Sequence, residues 1–285
     1  MSQRVLFMNL STSKYILDSV ALALAEDFGT GDVSADLFLN KTIISAEIIS
    51  REFSVICGIE YAQSTFLLLD DKIKLDWKIK DGECISSGQI LCILIGSSKA
   101  IISAERVALN FLQMLSSVAT KTHDLVSKIN HTNAQLIDTR KTIPGLRLAQ
   151  KYAVKCGGGV NHRMGLYDCV MLKENHIIAL GSITLAVKLA IEQYPNLPLI
   201  VEVEDLSQLQ EVLILSGVAR VLCDNFSISD LIQAVGLAKG KLPLEASGNI
   251  NENNIVEVAN TGVDFISTGS ITKNIQAIDL SLRFI

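Results

Sequence analysis

The sequence predicts an α/β fold, with a small sheet-containing domain followed by a partial (β/α) barrel. Three observations carry this. At 285 residues the chain is about twice the length of a typical domain, which suits two domains or one barrel with an added piece. Its apolar content is aliphatic rather than aromatic, 49% hydrophobic residues against 5% aromatic, and Val- and Ile-rich runs of that kind suit buried parallel strands. From residue 134 onward, short apolar runs each end in a polar residue and lead into a helical pattern.

Residues 14 to 28 place Tyr15, Ile16, Val20, Leu22, Leu24 and Phe28 among charged residues, the pattern of an amphipathic helix that ends at Gly29. A turn-rich Gly29–Asp32 segment follows. Between Ile43 and Ile95 short β-type runs alternate with turns such as Asp81-Gly82 and Ser87-Gly88, predicting a small mixed or antiparallel sheet. Residues 103 to 129 lack Pro and Gly and carry apolar residues at helical spacing, so one or two helices link this region to the next. The barrel cadence then begins. Leu136-Ile137 leads into Asp138, Val170–Leu172 into Lys173, Leu199–Val201 into Glu202, Val221-Leu222 into Asp224, Leu244 into Ser247-Gly248, and Phe265-Ile266 into Thr268-Gly269. Successive steps from Asp138 to Lys173, Glu202, Asp224, Ser247 and Gly269 are 35, 29, 22, 23 and 22 residues, each long enough for one βα unit. Repeated units with polar groups at the strand ends describe a barrel whose active site lies at that face, and six strands rather than eight make it partial or irregular.

Composition excludes several classes of function. With 25 Lys and Arg against 30 Asp and Glu, a net charge of −5 offers no global attraction to nucleic acid or an anionic membrane, so any anionic ligand must be held by a local cluster. The longest apolar run, Ile90–Ile95, is far short of the roughly 18 residues of a spanning helix. Near the N-terminus, Arg4 and the apolar Val5–Met8 patch are interrupted by Asn9 and polar Ser11–Lys14, unlike a signal sequence, and cytoplasmic residence is the expectation. Six cysteines form no CxxC pair, which argues against a disulfide scaffold or zinc ribbon. Of the four histidines, His123 and His131 read as structural and His176 as a local cap or hydrogen-bond partner.

The chemistry concentrates in three groups. Thr139-Arg140-Lys141, His162-Arg163 and Lys173 gather cations at predicted strand ends and in one glycine-rich loop, a set suited to a small ligand with two carboxylates. Any one of these charges alone would be read as solvated or paired to a surface acid; their recurrence is what points to a site. Gly157-Gly158-Gly159 reads better as a tight turn that positions Asn161, His162 and Arg163 than as a phosphate loop. Phosphate binding falls instead on Ser247-Gly248-Asn249 and Thr268-Gly269-Ser270, each ahead of a helical pattern (Glu252–Ala259, and from Thr272) whose dipole would face an anion. In Val201–Glu204 the strand period of two points Glu202 and Glu204 to one face, inward in a barrel, and Asp224 adds a third acid at the next strand end. A hard cation such as Mg²⁺ shared with substrate phosphates, or partnering with Lys173 or Arg140, would compensate them.

These residues carry a resemblance. The stretch from Asp138 to His176, with EDFGTGD (Glu26–Asp32), SAERVALNFLQ (Ser103–Gln113), VEVE (Val201–Glu204), CDN (Cys223–Asn225), EASGNI (Glu245–Ile250) and TGVDFISTGSIT (Thr261–Thr272), closely resembles the quinolinate phosphoribosyltransferase family across nearly the whole chain. The resemblance implies an N-terminal α/β sandwich domain over 1–116, joined in part by the tail at about 273–285. It also implies a C-terminal open (β/α) barrel of the type II phosphoribosyltransferase kind over 117–272. The implied reaction joins quinolinate to 5-phosphoribosyl-1-pyrophosphate with Mg²⁺, giving nicotinate mononucleotide, pyrophosphate and CO₂ for NAD synthesis. A homodimer is implied in which Arg106 reaches the partner's quinolinate. Thr139, Arg140, His162, Arg163 and Lys173 are the implied quinolinate contacts, and Lys141 and the Ser247–Asn249 and Thr268–Ser270 turns serve the phosphoribosyl substrate. Glu202 and Asp224 resemble the acids that hold Mg²⁺ and ribose hydroxyls, and with Lys141 and Lys173 they make up the implied catalytic set. Cys223 stands where a larger aliphatic residue is common, a packing change.

Three other readings fit the residues less well. A paralogue would use the same fold on another acceptor, although Asn161–Arg163 and the Lys173–His176 segment favour quinolinate. A Schiff-base lyase would use Lys173 at its strand end. A purely anion-binding protein would leave Glu202 and Asp224 without a task.

Overall fold

The computed structural model describes residues 12–37 and 42–285, and the Arg4–Met8 patch lies outside them. The chain divides into two compact units, Met1–Ser117 together with Gln276–Ile285, and Val118–Ile275.

In the first unit, helix α1 (Thr12–Phe28) buries Ile16, Val20 and Leu24, one side chain per turn, while Leu22 is exposed. It gives way to Gly29 with positive φ and, after a short 3₁₀ turn at Ala35–Leu37, to β1 (Ile43–Ser50). There follow β2 (Ser54–Val55), α2 (Ile59–Leu69), β3 (Lys74–Trp77), β4 (Cys84–Ile85) and β5 (Ile90–Ser97). Strands β1, β3 and β5 pair antiparallel as predicted, with β5 in the middle of the three, and β2 and β4 form a separate pair. The fourth strand of the sheet is β12 (Leu280–Phe284), which the sequence did not announce as a strand. It pairs antiparallel with β1 from Ala46↔Phe284 to Ser50↔Leu280. One core joins the sheet residues Ile48, Leu91 and Leu94 to Phe66 of α2 and to Ile101, Leu109 and Leu112 of α3 (Ser98–Ile129), a single 32-residue helix.

The second unit begins within α3 and runs through β6 (Gln135–Ile137), α4 (Arg147–Cys156), β7 (Val170–Leu172), α5 (Glu174–Leu180), α6 (Ile183–Gln193), β8 (Leu199–Val203), α7 (Leu206–Leu213), β9 (Arg220–Asp224), α8 (Ile228–Ala238), β10 (Leu244–Ser247), α9 (Ile255–Asn260), β11 (Phe265–Ser267) and α10 (Ser270–Lys273). All six strands fall where the cadence places them. They form one parallel sheet in the order β6-β11-β10-β9-β8-β7, and β6 and β7 at its ends share no ladder, so the barrel is open. Capping side chains explain why helices start promptly: Asp205 and Ser227 close strand-to-helix turns by accepting the amides of Gln208 and Asp230, and Ser182, between α5 and α6, accepts that of Leu185. Among the described residues no single helix is long and apolar enough to cross a membrane.

The three glycines after α4 make the predicted turn. Gly157 closes the helix through its amide to Ala153 O, and Gly158 has φ +87°. A Cβ on Gly157 would lie 2.3 Å from the Ala119 carbonyl oxygen and 2.6 Å from Thr122 Cβ, so only glycine lets α4 end this close to α3. Gly157→Ala should therefore lose about 1–3 kcal/mol by forcing the two helices apart, read as a lower urea midpoint with unchanged slope.

Candidate active site

A cavity of about 420 Å³ opens at the C-terminal ends of the strands. Strand parity decides what lines it: Met171 of β7, Glu202 of β8, Leu222 and Asp224 of β9, Glu245 and Ser247 of β10 and Ser267 of β11 stand on the inward face of their strands. The segment after β6 contributes Thr139, Arg140 and Lys141, the loop after the glycines His162 and Arg163, and the end of β7 Lys173. A second pocket of about 220 Å³ shares Thr139, Lys141, Ser247 and Ser267 with the first and adds Gly248, Asn249, Thr268, Gly269 and Ser270, as well as Lys273 and Asn274, which sequence reasoning missed. Arg106 lies on α3 in the first unit, exposed, and lines neither pocket.

The cations are held together by a buried network. The carboxylate of Asp138, fully buried, pairs with the equally buried Lys151 of α4. It also accepts the His162 amide at 2.8 Å and Asn161 Nδ2 at 2.6 Å, while Lys151 Nζ donates to His162 O at 3.0 Å. The end of β6 and the Asn161–Arg163 loop are thus pinned to the same two side chains. Arg147 ties down the outer loops, donating to Thr142 Oγ1, Met164 O and Arg140 O. The sequence marks Asp138 only as the polar end of a strand and points to neither Lys151 nor Arg147. The available signal for Lys151 was its place among Ala149, Ala153 and Val154, the buried face of α4.

Electrostatically the mouth is poised for an anion. Burial, then the neighbouring Arg163 and Arg147 charges, push the Arg140 guanidinium below its ordinary range, and its Nε is buried without a hydrogen-bond partner among the described residues. Arg163 Nη1 reaches Cys169 O at 3.3 Å. A ligand carboxylate would relieve both the repulsion and the unmet donor.

Below them sits a polar layer the sequence did not reveal. Glu245, fully buried, accepts Arg220 Nη1 at 3.0 Å and faces His162 Nε2 at 3.5 Å, and the Arg220 guanidinium stacks 4.2 Å over the Phe265 ring. Burial alone would raise the Glu245 carboxyl; its contacts with His162, Ser267 and Arg220 outweigh that and hold it below the ordinary carboxylate value.

The acids are divided. Glu202 pairs with Lys173, and Asp224 accepts Asn225 Nδ2 at 2.8 Å. Glu204 departs from the expectation of an inward side chain: β8 ends at Val203, so the strand period no longer governs it, and it is exposed. Its carboxyl is raised first by Glu174, then by slight burial and by Asp224, Glu202 and Asp205, marking an acidic rim. The predicted local role of His176 is present, since its Nδ1 accepts the Lys173 amide at 3.0 Å. Cys223 is fully buried, its thiol pushed up to about 12 by burial and by Glu245.

The turns of the second pocket are built differently from the helix-dipole expectation. Helix α9 starts at Ile255 rather than Glu252, and the Ser247–Asn249 turn is held instead by asparagines. Asn225 donates its amide to Ser247 O at 2.8 Å, and Asn249 Nδ2 reaches Asn225 Oδ1 at 3.3 Å. Gly248, at φ +100°, leaves room for this: a Cβ there would sit 2.2 Å from Asn225 Oδ1. Helix α10 starts at Ser270, earlier than read, and the Ser270 amide is already taken by Thr268 Oγ1 at 3.1 Å.

Comparison with known proteins decides the family. The model for the quinolinate phosphoribosyl transferase N-terminal domain matches residues 32–116 and that for the C-terminal domain residues 118–283. The chain belongs to the quinolinate phosphoribosyltransferase family. Among family members, it is similar to the nicotinate-nucleotide pyrophosphorylase structure from Francisella tularensis, 45% identical with a TM-score of 0.94, covering 97% of this chain and 98% of that one. It is 37% identical over 258 residues to a probable nicotinate-nucleotide pyrophosphorylase (carboxylating) of Bacillus subtilis, covering 90% of this chain and 89% of the relative. Against the chloroplastic enzyme of Arabidopsis thaliana it is 38% identical, covering 93% and 81%.

Because Asp138 and Lys151 are both buried, the quinolinate phosphoribosyltransferase fold here depends on keeping them together. Lys151→Met should cost about 3–5 kcal/mol by stranding the Asp138 carboxylate, a loss measurable by chemical denaturation.

Proposed function

We propose that the chain catalyses phosphoribosyl transfer from 5-phosphoribosyl-1-pyrophosphate to quinolinate with loss of CO₂, forming nicotinate mononucleotide in NAD biosynthesis. The observation that carries this reading is the crowding of Arg140 and Arg163 with His162 and Lys173 at a cavity that adjoins a second pocket edged by Lys141. Two carboxylates on one small ring match that crowding, and the adjoining pocket suits a phosphate.

In this reading Arg140, Arg163, His162 and Lys173, with the Thr139 hydroxyl, hold the two quinolinate carboxylates and orient the ring nitrogen toward C1 of the ribose. Lys141 and the turns at Ser247–Asn249 and Thr268–Ser270 hold the phosphoribosyl group. Departure of pyrophosphate builds positive charge at C1, which Glu202 and Asp224 beside the ribose stabilise. Once the nitrogen is alkylated, the pyridinium itself accepts the electron pair left when the adjacent carboxylate departs, so the residues need only fix the ring and exclude water. No group of three or more His, Cys, Asp or Glu among the described residues is arranged to enclose a metal. Glu202 and Asp224 nevertheless line the cavity as hard oxygen donors, a set that suits Mg²⁺ completed by water and substrate oxygens. When bound, Mg²⁺ would neutralise charge on the departing pyrophosphate. Lys173 is engaged by Glu202, whereas a Schiff-base lysine needs a free amine in an apolar setting, which disfavours the lyase reading.

Arg106, exposed on the first unit, is proposed to complete the quinolinate site of a second subunit in a homodimer, and the enzyme is proposed to work in the cytoplasm. Nicotinate mononucleotide and CO₂ should appear when the protein is given both substrates and Mg²⁺, and stop on chelation; absence of CO₂ release at every pH from about 6 to 9 overturns the reading. Arg140→Ala should lower kcat/KM for quinolinate at least about 100-fold, or about 2.8 kcal/mol. Arg106→Ala and Arg140→Ala homodimers should each be inactive and regain part of the activity when their subunits are mixed, as measured by product formation after subunit exchange.

A further inference from the structure

Glu245 is an odd residue to find in the wall of a pocket for dianions. It is fully buried and lines the cavity, a place that an apolar residue of the strand would ordinarily take. Its carboxylate is anchored from below by Arg220, itself fixed over Phe265. From above it faces His162, whose backbone is clamped elsewhere: its amide is held by Asp138 and its carbonyl by Lys151. The ring chemistry then follows. His162 Nδ1 accepts the Arg163 amide at 2.7 Å, so Nδ1 carries no proton and the neutral ring bears its proton on Nε2. Nε2 lies 3.5 Å from Glu245 Oε2, and both Nε2 and Glu245 Oε1 are buried at the cavity wall without a hydrogen-bond partner among the described residues. The opposite tautomer would set an Nδ1–H against the Arg163 N–H and push the Arg163 loop out of place.

We propose that Glu245 is a positioning residue for quinolinate: its carboxylate, set 3.5 Å from Nε2, favours the Nε2–H tautomer of His162, and His162 Nδ1, left free to accept the Arg163 amide, fixes the base of the Arg163 side chain at the cavity. This rests on the quinolinate reading for its kinetic consequence, but not for the tautomer. Arg220 serves by aiming the carboxylate, donating Nη1 to Glu245 Oε2 at 3.0 Å, and the polar layer is the means by which the barrel floor sets the geometry of its mouth.

The test has a spectroscopic and a kinetic arm. In long-range ¹H–¹⁵N correlation spectra of protein labelled at histidine, His162, assigned by loss of its signals in His162→Asn, should be the Nε2–H tautomer. Glu245→Met should lose that single form, and Glu245→Gln, which keeps an acceptor oxygen, should retain it at least in part. Kinetically, Glu245→Met should raise KM for quinolinate tenfold or more and leave KM for 5-phosphoribosyl-1-pyrophosphate within twofold, with Glu245→Gln intermediate. Adding Glu245→Met to His162→Asn should change quinolinate KM no further. A wild-type His162 with its proton on Nδ1 overturns the proposal before any variant is made and whether or not Glu245→Met folds. So does an unchanged quinolinate KM, or an equal loss on both substrates, in either folded variant. Should the wild type fail to convert quinolinate, the functional reading falls while the tautomer spectra still decide what Glu245 does.

Discussion

Cations that repel one another stay together in a protein only if something rigid stands behind them, and here that is the buried contact between Asp138 and Lys151. Two segments distant in sequence, the end of β6 and the Asn161–Arg163 loop, converge on that one pair. Neither segment has regular structure of its own at the mouth. Desolvating both ions is expensive, and the contact holds because nearly every lone pair and proton around it is used. In return Arg140 and Arg163 are set side by side before any ligand arrives, so binding need not spend its energy on gathering them.

The open barrel follows the same logic. A closed eight-stranded barrel would run a ladder between β6 and β7; here β6 is met instead by Val160, which follows the glycine turn and leads into His162 and Arg163. An isolated parallel bridge from Ile137 to Val160 is all that remains of strand pairing on that side. The gap therefore converts what would be strand into binding loop, and the decarboxylating transferase places much of its cationic equipment in it.

Much of this was legible because strand ends in a barrel are where apolar sequence turns polar. All six barrel strands and the cluster of cations could be read that way, while the first unit's sheet was legible as short β-type runs between turns such as Asp81-Gly82 and Ser87-Gly88. What escaped detection escaped for physical reasons. Glu245 sits between Leu244 and Ala246 and resembles Glu202 in context; only its parity with Ser247, two residues on, hinted that it faces inward. Glu204 misled because a period of two says which face a residue takes but not where the strand stops, and β8 stops one residue earlier. The two glycine turns do line one pocket, but their scaffold was not legible: Asn225 and Asn249, both at positive φ, brace the first turn where a helix start was expected, and they carry that information only once the backbone is known.

The position of β12 has a bearing on synthesis. Its partner β1 leaves the ribosome well over two hundred residues before Leu280–Phe284, and until then one edge of the first sheet, with the core places of Ile278 and Leu280, stands vacant. That edge is a ready template for any passing strand. Pairing across so long a separation is slow to form, so the nascent chain spends its whole translation of the barrel with an unfinished first unit. Fragments cut at the boundary between the units would inherit that defect permanently, however well the barrel itself folds.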